Sequence, residues 1–334
     1  MNINLVKFIR KYPTLKKIGS LVLNNRVSSL LKRNQSIDLT FPKSFNIEPT
    51  NACNVNCSFC PRLESSKSIG YMDFDLFRKI IDESSNYGGR HFSFFKDGES
   101  LLHPKLPAMI EYAKKAHPGN TINLSTNAIL LDEKKAAEII NAGLDTINMS
   151  VNAATPETYK KLLNSDKFER VVENVNNFLK IKKELNASNP VVTVQMIDME
   201  VAQNDVPLFY QTWNDKDVVV RVRPFLNWTG VRKDEHAVKR SRYPCNYLWN
   251  FPSINWDGRV SVCCVDYSED GIIGDVNKQS LAEIWNGYTI RKYREMHLNG
   301  EFDKLPVCKN CNDWANLPNI WIKKPFPKNG QKWL

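Results

Sequence analysis

From about residue 45 to residue 224 the chain alternates short runs rich in β-branched and aromatic residues with longer stretches of helical periodicity. Six runs have strand character: "FNIEP" (45–49), "HFSFF" (91–95), "NTINLST" (120–126), "DTINMSV" (145–151), "VVTVQMID" (191–198) and "DVVVRV" (217–222). Between them, "FDLFRKII" places Phe74, Phe77, Ile80 and Ile81 on one helical face, and "FERVVENVNNFL" does the same with Phe168, Val171, Val172, Val175, Phe178 and Leu179. "DEKKAAEIINAG" ends at Gly143, where a left-handed C-terminal cap is expected. A repeated strand-then-helix order predicts parallel strands with helices outside, an α/β sheet or barrel whose working residues gather at the C-terminal ends of the strands.

After Arg223 the texture changes. "INWDGRVSVCC" predicts a hairpin turning at Asp257 and Gly258, where Asp-Gly supplies positive φ angles. "SLAE" (280–283) predicts a capping box opening a helix that runs toward His297. The expected organisation is an N-terminal extension over 1–44, a β/α domain over 45–235 and a small domain over 236–334.

Composition changes this picture little: 334 residues, 42% hydrophobic and 25% charged, suit an enzyme-sized globular chain with a substantial core. The formal charge of +10 matters only once it is located. Lys7, Arg10, Lys11, Lys16, Lys17, Arg26, Lys32 and Arg33 all precede the first acid, Asp38, so the rest of the chain carries only +2. Interleaved with Leu5, Phe8, Ile9, Leu15, Ile18, Leu21 and Leu23, these charges describe a basic amphipathic segment interrupted at Pro13 and Gly19. Residues 1–33 are thus a candidate contact for an anionic membrane surface or an acidic protein, or a helical extension with a solvated charged face. A charge confined to one tail argues against nucleic acid as the partner of the whole protein. No apolar run has the length of a membrane span and no signal-peptide core is present, which leads us to expect a cytoplasmic protein.

In that reducing compartment eight cysteines point to metal ligands or catalytic groups. Cys53, Cys57 and Cys60 lie together just after the first strand, while Cys245, Cys263, Cys264, Cys308 and Cys311 fall in the last hundred residues. The later set, with Cys245, Cys263, Cys308 and Cys311 spaced by 18, 45 and 3 positions, supplies the four thiolates of a zinc site or of a four-iron cluster; spacing alone leaves both open. The triplet raises a different question, because three local thiolates leave a coordination position open. A zinc-stapled nucleic-acid-binding protein is the non-enzymatic alternative, but it leaves the six-strand pattern unexplained.

The spacing "CNVNCSFC", with Phe59 before the last cysteine, resembles the signature of the radical S-adenosylmethionine (SAM) enzymes. The resemblance implies a partial (βα)6 TIM-like barrel and a [4Fe-4S] cluster held by Cys53, Cys57 and Cys60, whose fourth iron is chelated by the cofactor. It also implies reductive cleavage of SAM to a 5′-deoxyadenosyl radical. Phe59 then lies near the adenine. "KDGE" matches the family's two glycines and glutamate with Asp97 in place of the first glycine, so Gly98 and Glu99 are implied to meet the methionine amino group. "STNA" (125–128) places Thr126 and Asn127 where the family often has Thr-Asn-Gly, and Ser150 and Asn152 match positions that touch the ribose or carboxylate.

The C-terminal region resembles the SPASM and twitch group of auxiliary-cluster domains in "NWDGRVSVCCVDY", "GDVNKQSLAEIWNG" and "CKNC". Its four-cysteine spacing is similar to that of the aminocyclitol (inosamine) dehydrogenases of aminoglycoside biosynthesis. This implies a second [4Fe-4S] cluster that accepts an electron, a dehydrogenase acting on a sugar, aminocyclitol or glycan precursor, and a flavodoxin or ferredoxin as reductant. Of the adjacent pair Cys263 and Cys264, one binds iron and the other is spare: a buried thiol, or a hydrogen-atom donor that makes the enzyme an epimerase. A peptide- or RNA-modifying radical SAM enzyme is a further alternative, although 44 residues are short for a leader-peptide domain. Gln195 and Arg223, at strand ends facing the expected cavity, are candidates for binding polar or anionic groups of cofactor or substrate.

Overall fold

A computed structural model of the chain describes residues 40–64, 67–232 and 242–317. All of them fall in one compact unit, Leu39–Pro318. The basic segment over residues 1–33 and the domain boundary expected near 235 lie outside the described residues.

All six expected strands form: β1 (Ser44–Ile47), β2 (His91–Phe94), β3 (Thr121–Thr126), β4 (Thr146–Ser150), β5 (Val191–Asp198) and β6 (Val219–Pro224). Each pairs in parallel with its sequence neighbour, in the order β6-β5-β4-β3-β2-β1. The crossovers carry the helices, among them α1 (Phe74–Ser85), α2 (Leu106–Ala116), α3 (Glu133–Asn141), α4 (Pro156–Leu163), α5 (Phe168–Glu184) and α6 (Val206–Trp213). Alternation sorts the side chains. Ile47, Phe92, Phe94, Ile122, Leu124, Ile147, Met149, Val192 and Val194 are fully or almost fully buried against helix residues such as Phe77, Ile80, Val171, Val175 and Phe178. The intervening positions form cross-strand polar rows, Asn46-Ser93-Asn123-Thr146 and Ser150-Gln195-Arg221. A closed barrel fills its interior with branched apolar residues; a polar inner face suits a six-strand partial barrel that holds a polar ligand.

α3 ends as expected, with Gly143 at φ +89° one residue past the cap. The polar face of α5 is less uniform than its pattern suggested: Asn174 is buried because its amide donates to the carbonyls of Ala128 and Ile129, at 2.8 and 3.1 Å.

The C-terminal part begins with α7 (Tyr247–Asn250) and continues the same sheet. β7 (Ser253–Ile254) pairs in parallel with the outer side of β1, and β8 (Arg259–Ser261) and β9 (Ile272–Asp275) follow antiparallel, giving nine strands. The hairpin between β7 and β8 forms, but only Gly258 has a positive φ, +92°. Gly258 N–H bonds Asn255 O and Asn255 N–H bonds Arg259 O, so the link is a three-residue loop with glycine in the left-handed position, and Asp257 needs no special conformation. The capping box at Ser280 and Glu283 also forms, yet the helix expected to run toward His297 is two: α8 (Leu281–Trp285) and α9 (Tyr288–Leu298). Gly287 takes φ −69°, ψ 166° between them and starts the second helix as its N-cap.

Candidate active site and auxiliary thiol centre

The triplet loop follows β1 directly and is clamped from several sides. Thr50 Oγ1 donates to Gly70 O (2.6 Å) and Asn51 pairs with both Ser68 O and Gly70 N–H (2.8 Å each). Ser58 N–H bonds Leu162 O at the end of α4 (2.8 Å), and Asn127 Nδ2 reaches Asn54 Oδ1 (2.7 Å). From β2, Glu99 N–H bonds Ala52 O (2.8 Å), and a Cβ at Gly98 would stand 2.2 Å from Thr50 O and 2.5 Å from Ala52 O. Glycine is required there for the β2 loop to approach the cysteine loop.

Cys53, Cys57 and Cys60 are half-buried, and Cys57 is close enough to the other two for both to raise its pKa. Burial pushes all three thiols up, Cys60 to about 11, so a metal group must displace their protons to bind. Phe59, between them, is 9% exposed.

The expected cofactor contacts are brought to the same end of the sheet. Glu99 is buried and its carboxylate accepts from Leu101 N–H (3.0 Å), Thr126 Oγ1 (2.8 Å) and Asn127 N–H (2.7 Å); burial raises its pKa against these bonds. Glu99, Thr126 and Asn127 are therefore one unit that ties the ends of β2 and β3 together. Ser150 pairs with Gln195 across β4 and β5, and Asn152 N–H bonds Gln195 O at 3.0 Å. Asn152 has φ +62°, and its Oδ1 is buried with no partner among the described residues, an acceptor left for a ligand.

Asp97, the departure from the family glycine, points elsewhere. It pairs with Lys67 at 2.9 Å, and Lys67 also reaches Glu269 at 3.4 Å and the Tyr267 ring at 4.3 Å. Beside it, the Glu48 carboxylate accepts from Asp97 N–H (3.1 Å) and Trp256 N–H (3.2 Å); burial, with Asp97 adding to it, raises its pKa to about 7. Lys96 donates to Asn255 Oδ1 at 2.8 Å. This buried charged seam joins the ends of β1 and β2 to the C-terminal hairpin. Sequence reading missed it, and the only local signal was the unusual acid at position 97.

The second thiol centre is assembled from distant segments. Cys245, Cys263, Cys308 and Cys311 line one enclosed cavity with Arg242, His297 and Asp313, whereas Cys264 does not line it. Cys245 and Cys263 are raised well above the thiol range, Cys263 by its hydrogen bond with Cys264 and then by burial, Cys245 by burial. Burial brings Cys308 to about 11 and, with Asp313 beside it, Cys311 to about 12. Arg223, at the end of β6, faces Asp313, Tyr247 and Cys264; enclosure lowers its pKa and Asp313 opposes that. Among the described residues no three Cys, His, Asp or Glu side chains stand close enough to share a single metal ion. Thiols ringing a cavity suit a polynuclear group, and an all-thiolate set is the donor chemistry of iron–sulfur clusters.

A family model described as the radical SAM superfamily matches residues 47–197, and one described as an iron–sulfur cluster-binding domain, SPASM, matches residues 245–312. The chain carries a radical SAM domain followed by a SPASM domain. It is similar to the GTP 3′,8-cyclase of Chlorobaculum tepidum, 28% identical over 202 residues, a match spanning 58% of this chain but only 56% of the cyclase. It is also similar to the S-adenosyl-L-methionine-dependent 2-deoxy-scyllo-inosamine dehydrogenase of Niallia circulans, 23% identical over 80% of this chain and 91% of the relative. A tungsten-containing aldehyde ferredoxin oxidoreductase cofactor-modifying protein of Pyrococcus furiosus is 23% identical over 81% and 87%. Among solved structures, BtrN in complex with AdoMet and 2-DOIA superposes with a TM-score of 0.58 at 21% identity (81% of this chain, 93% of that one). Native anSMEcpe with bound AdoMet gives 0.63 at 16% (81% and 89%), and both likenesses show the shared fold.

The cofactors that these two domains take are S-adenosylmethionine and two [4Fe-4S] clusters, and the two thiol groups fit them: an open triplet at the mouth of the sheet and a closed quartet beside it. No helix among the described residues is long and apolar enough to cross a membrane.

Proposed function

We propose that the protein is a radical SAM dehydrogenase of a small polar substrate, a sugar, aminocyclitol or glycan precursor. The observation that carries this reading is the pairing, in one compact unit, of an open thiol triplet with a separate enclosed quartet. The relatives support it: the cyclase match spans 58% of this chain, while the match to the inosamine dehydrogenase spans 80% of it, more than the β/α domain alone can supply.

When bound, the cofactors supply a 5′-deoxyadenosyl radical that takes a hydrogen atom from unactivated carbon, and an acceptor for one further electron. The chain supplies position. Cys53, Cys57 and Cys60 hold the first cluster; Gly98 and the Glu99-Thr126-Asn127 unit bind the methionine end; Ser150, Asn152 and Gln195 meet the ribose or carboxylate; Phe59 packs near the adenine. Arg223 binds an oxygen or anionic group of the substrate on the side nearest the quartet. Cys245, Cys263, Cys308 and Cys311 hold the second cluster away from substrate, so its iron is closed and its role is electron transfer. The substrate loses two hydrogens, one as an atom and one as a proton plus an electron. A flavodoxin or ferredoxin is the reductant, and eight free thiols suit a cytoplasmic setting.

A second reading is favoured by one observation: Cys264 lies outside the quartet cavity and near Arg223 and Tyr247. There its thiol would give a hydrogen atom to the substrate radical, making the reaction an epimerisation. Anaerobic turnover with candidate sugars and aminocyclitols, following 5′-deoxyadenosine and product mass, separates the two. A mass lower by two hydrogens supports dehydrogenation. Unchanged mass with one solvent deuterium gained in heavy water overturns it in favour of Cys264.

A further inference from the structure

His297, in the last turn of α9, is 1% exposed and sits between two of the four quartet cysteines. Its Nδ1 is 3.2 Å from the backbone nitrogen of Cys245, and its Nε2 is 3.3 Å from Cys308 Sγ. A peptide N–H can only donate, so Nδ1 accepts and the ring proton belongs on Nε2, aimed at the sulfur. The ring is held in place by Phe302, edge-on at 5.0 Å, and Arg242 lies over Phe302 while donating to Cys308 O at 2.7 Å. A buried imidazole with both nitrogens spent on two different cysteines is more than filler in a small hydrophobic cluster.

We propose that His297 is a positioning residue that raises the reduction potential of the auxiliary cluster through an Nε2–H···Sγ hydrogen bond to Cys308. The inference rests on the reading that the quartet holds an iron–sulfur cluster. Reduction adds one electron, whose charge is shared by the cluster's sulfurs. A donor at a ligand sulfur therefore stabilises the reduced form more than the oxidised one. A higher potential makes the centre a better acceptor for the electron that leaves the substrate.

The test is an anaerobic redox titration of the full chain against dithionite, followed by electron paramagnetic resonance, in a background carrying Cys53→Ala, Cys57→Ala and Cys60→Ala so that only the second cluster reports. His297→Leu is expected to weaken reduction about tenfold, which for a one-electron couple is about 59 mV toward negative potential. His297→Gln, whose amide nitrogen reaches as far as Nε2, is expected to return toward the wild-type value. His297→Asn, which reaches only the Nδ1 position, is expected to stay low. Equal potentials in all four proteins overturn the proposal. If His297→Leu loses its iron, the Gln and Asn variants decide: a higher potential in Gln than in Asn sustains the proposal and equality overturns it. Loss of iron from all three makes His297 a scaffold residue and also overturns it. An iron-free quartet with His297 intact would instead overturn the cluster reading beneath it.

Discussion

The two thiol centres are built on opposite plans. The triplet comes from eight consecutive residues on one half-exposed loop, and its surroundings are backbone and polar side chains from the ends of neighbouring strands. The quartet comes from segments spread between Cys245 and Cys311, is largely buried, and exists only because α9, the β8 end and the final loop meet. The triplet is a site that the local chain presents and the fold merely clamps. The quartet is a piece of core. An open, accessible centre suits an exchangeable cofactor, and a closed one suits a permanent electron carrier.

The sharpest break in this comparison is Cys57→Ala. It should abolish 5′-deoxyadenosine formation and lower iron from about eight to about four per chain, while leaving thermal stability close to wild type. Cys263→Ala should show the reverse ordering. Iron again falls to about four and dehydrogenated product is lost, but the melting temperature drops by several degrees because a buried centre has been emptied, and 5′-deoxyadenosine formation persists uncoupled. A melting curve unchanged in Cys263→Ala but shifted in Cys57→Ala would invert the contrast. Gly98→Ala should perturb only the clamp. The new Cβ collides with Thr50 and Ala52 carbonyls, costing roughly 1–3 kcal/mol in denaturant unfolding and displacing the triplet loop, with iron loss confined to the first cluster. Cys264→Ala should leave both iron content and dehydrogenation within a few-fold of wild type; abolition of turnover would favour epimerisation.

The smallest effect concerns the seam between the regions. Glu48 has a folded pKa raised from 4.5 to about 7, so between those values the folded state holds a proton that the unfolded chain has released. Its contribution to stability is therefore greatest below about pH 4.5 and falls as pH rises toward 7. Glu48→Gln should flatten that part of the stability-against-pH profile measured by urea unfolding. A slope unaltered by the substitution would remove Glu48 as its source.

Much of this was legible in the chain. The six strands emerge within a residue or two of their expected bounds because β-branched alternation and the caps at Gly143 and Ser280 are local signals. The two groups of cysteines were legible for the same reason: thiols are rare, and their spacing is a statement about one loop or one turn. What misled was also local. Gly287 divides a periodic stretch into two helices, and Asp257 needs no positive φ once the loop has three residues.

The sequence by itself determined the parallel β/α order and the grouping of Cys53, Cys57 and Cys60 on one loop, and through its family resemblance it offered Gly98, Glu99, Thr126, Asn127, Ser150 and Asn152 as candidate contacts. Each of these is written in neighbours along the chain. Only the tertiary structure decided that β7 extends the barrel sheet beside β1, that Cys263 and not Cys264 lines the quartet cavity, that Asp97 joins Lys67 and Glu269 in a seam, and that His297 bridges Cys245 and Cys308. The partners in these contacts are separated by 11 to more than 200 positions, or differ only in which way two adjacent side chains turn. Pairing of that kind is set by how packed elements meet in space, and periodicity and spacing carry no record of it.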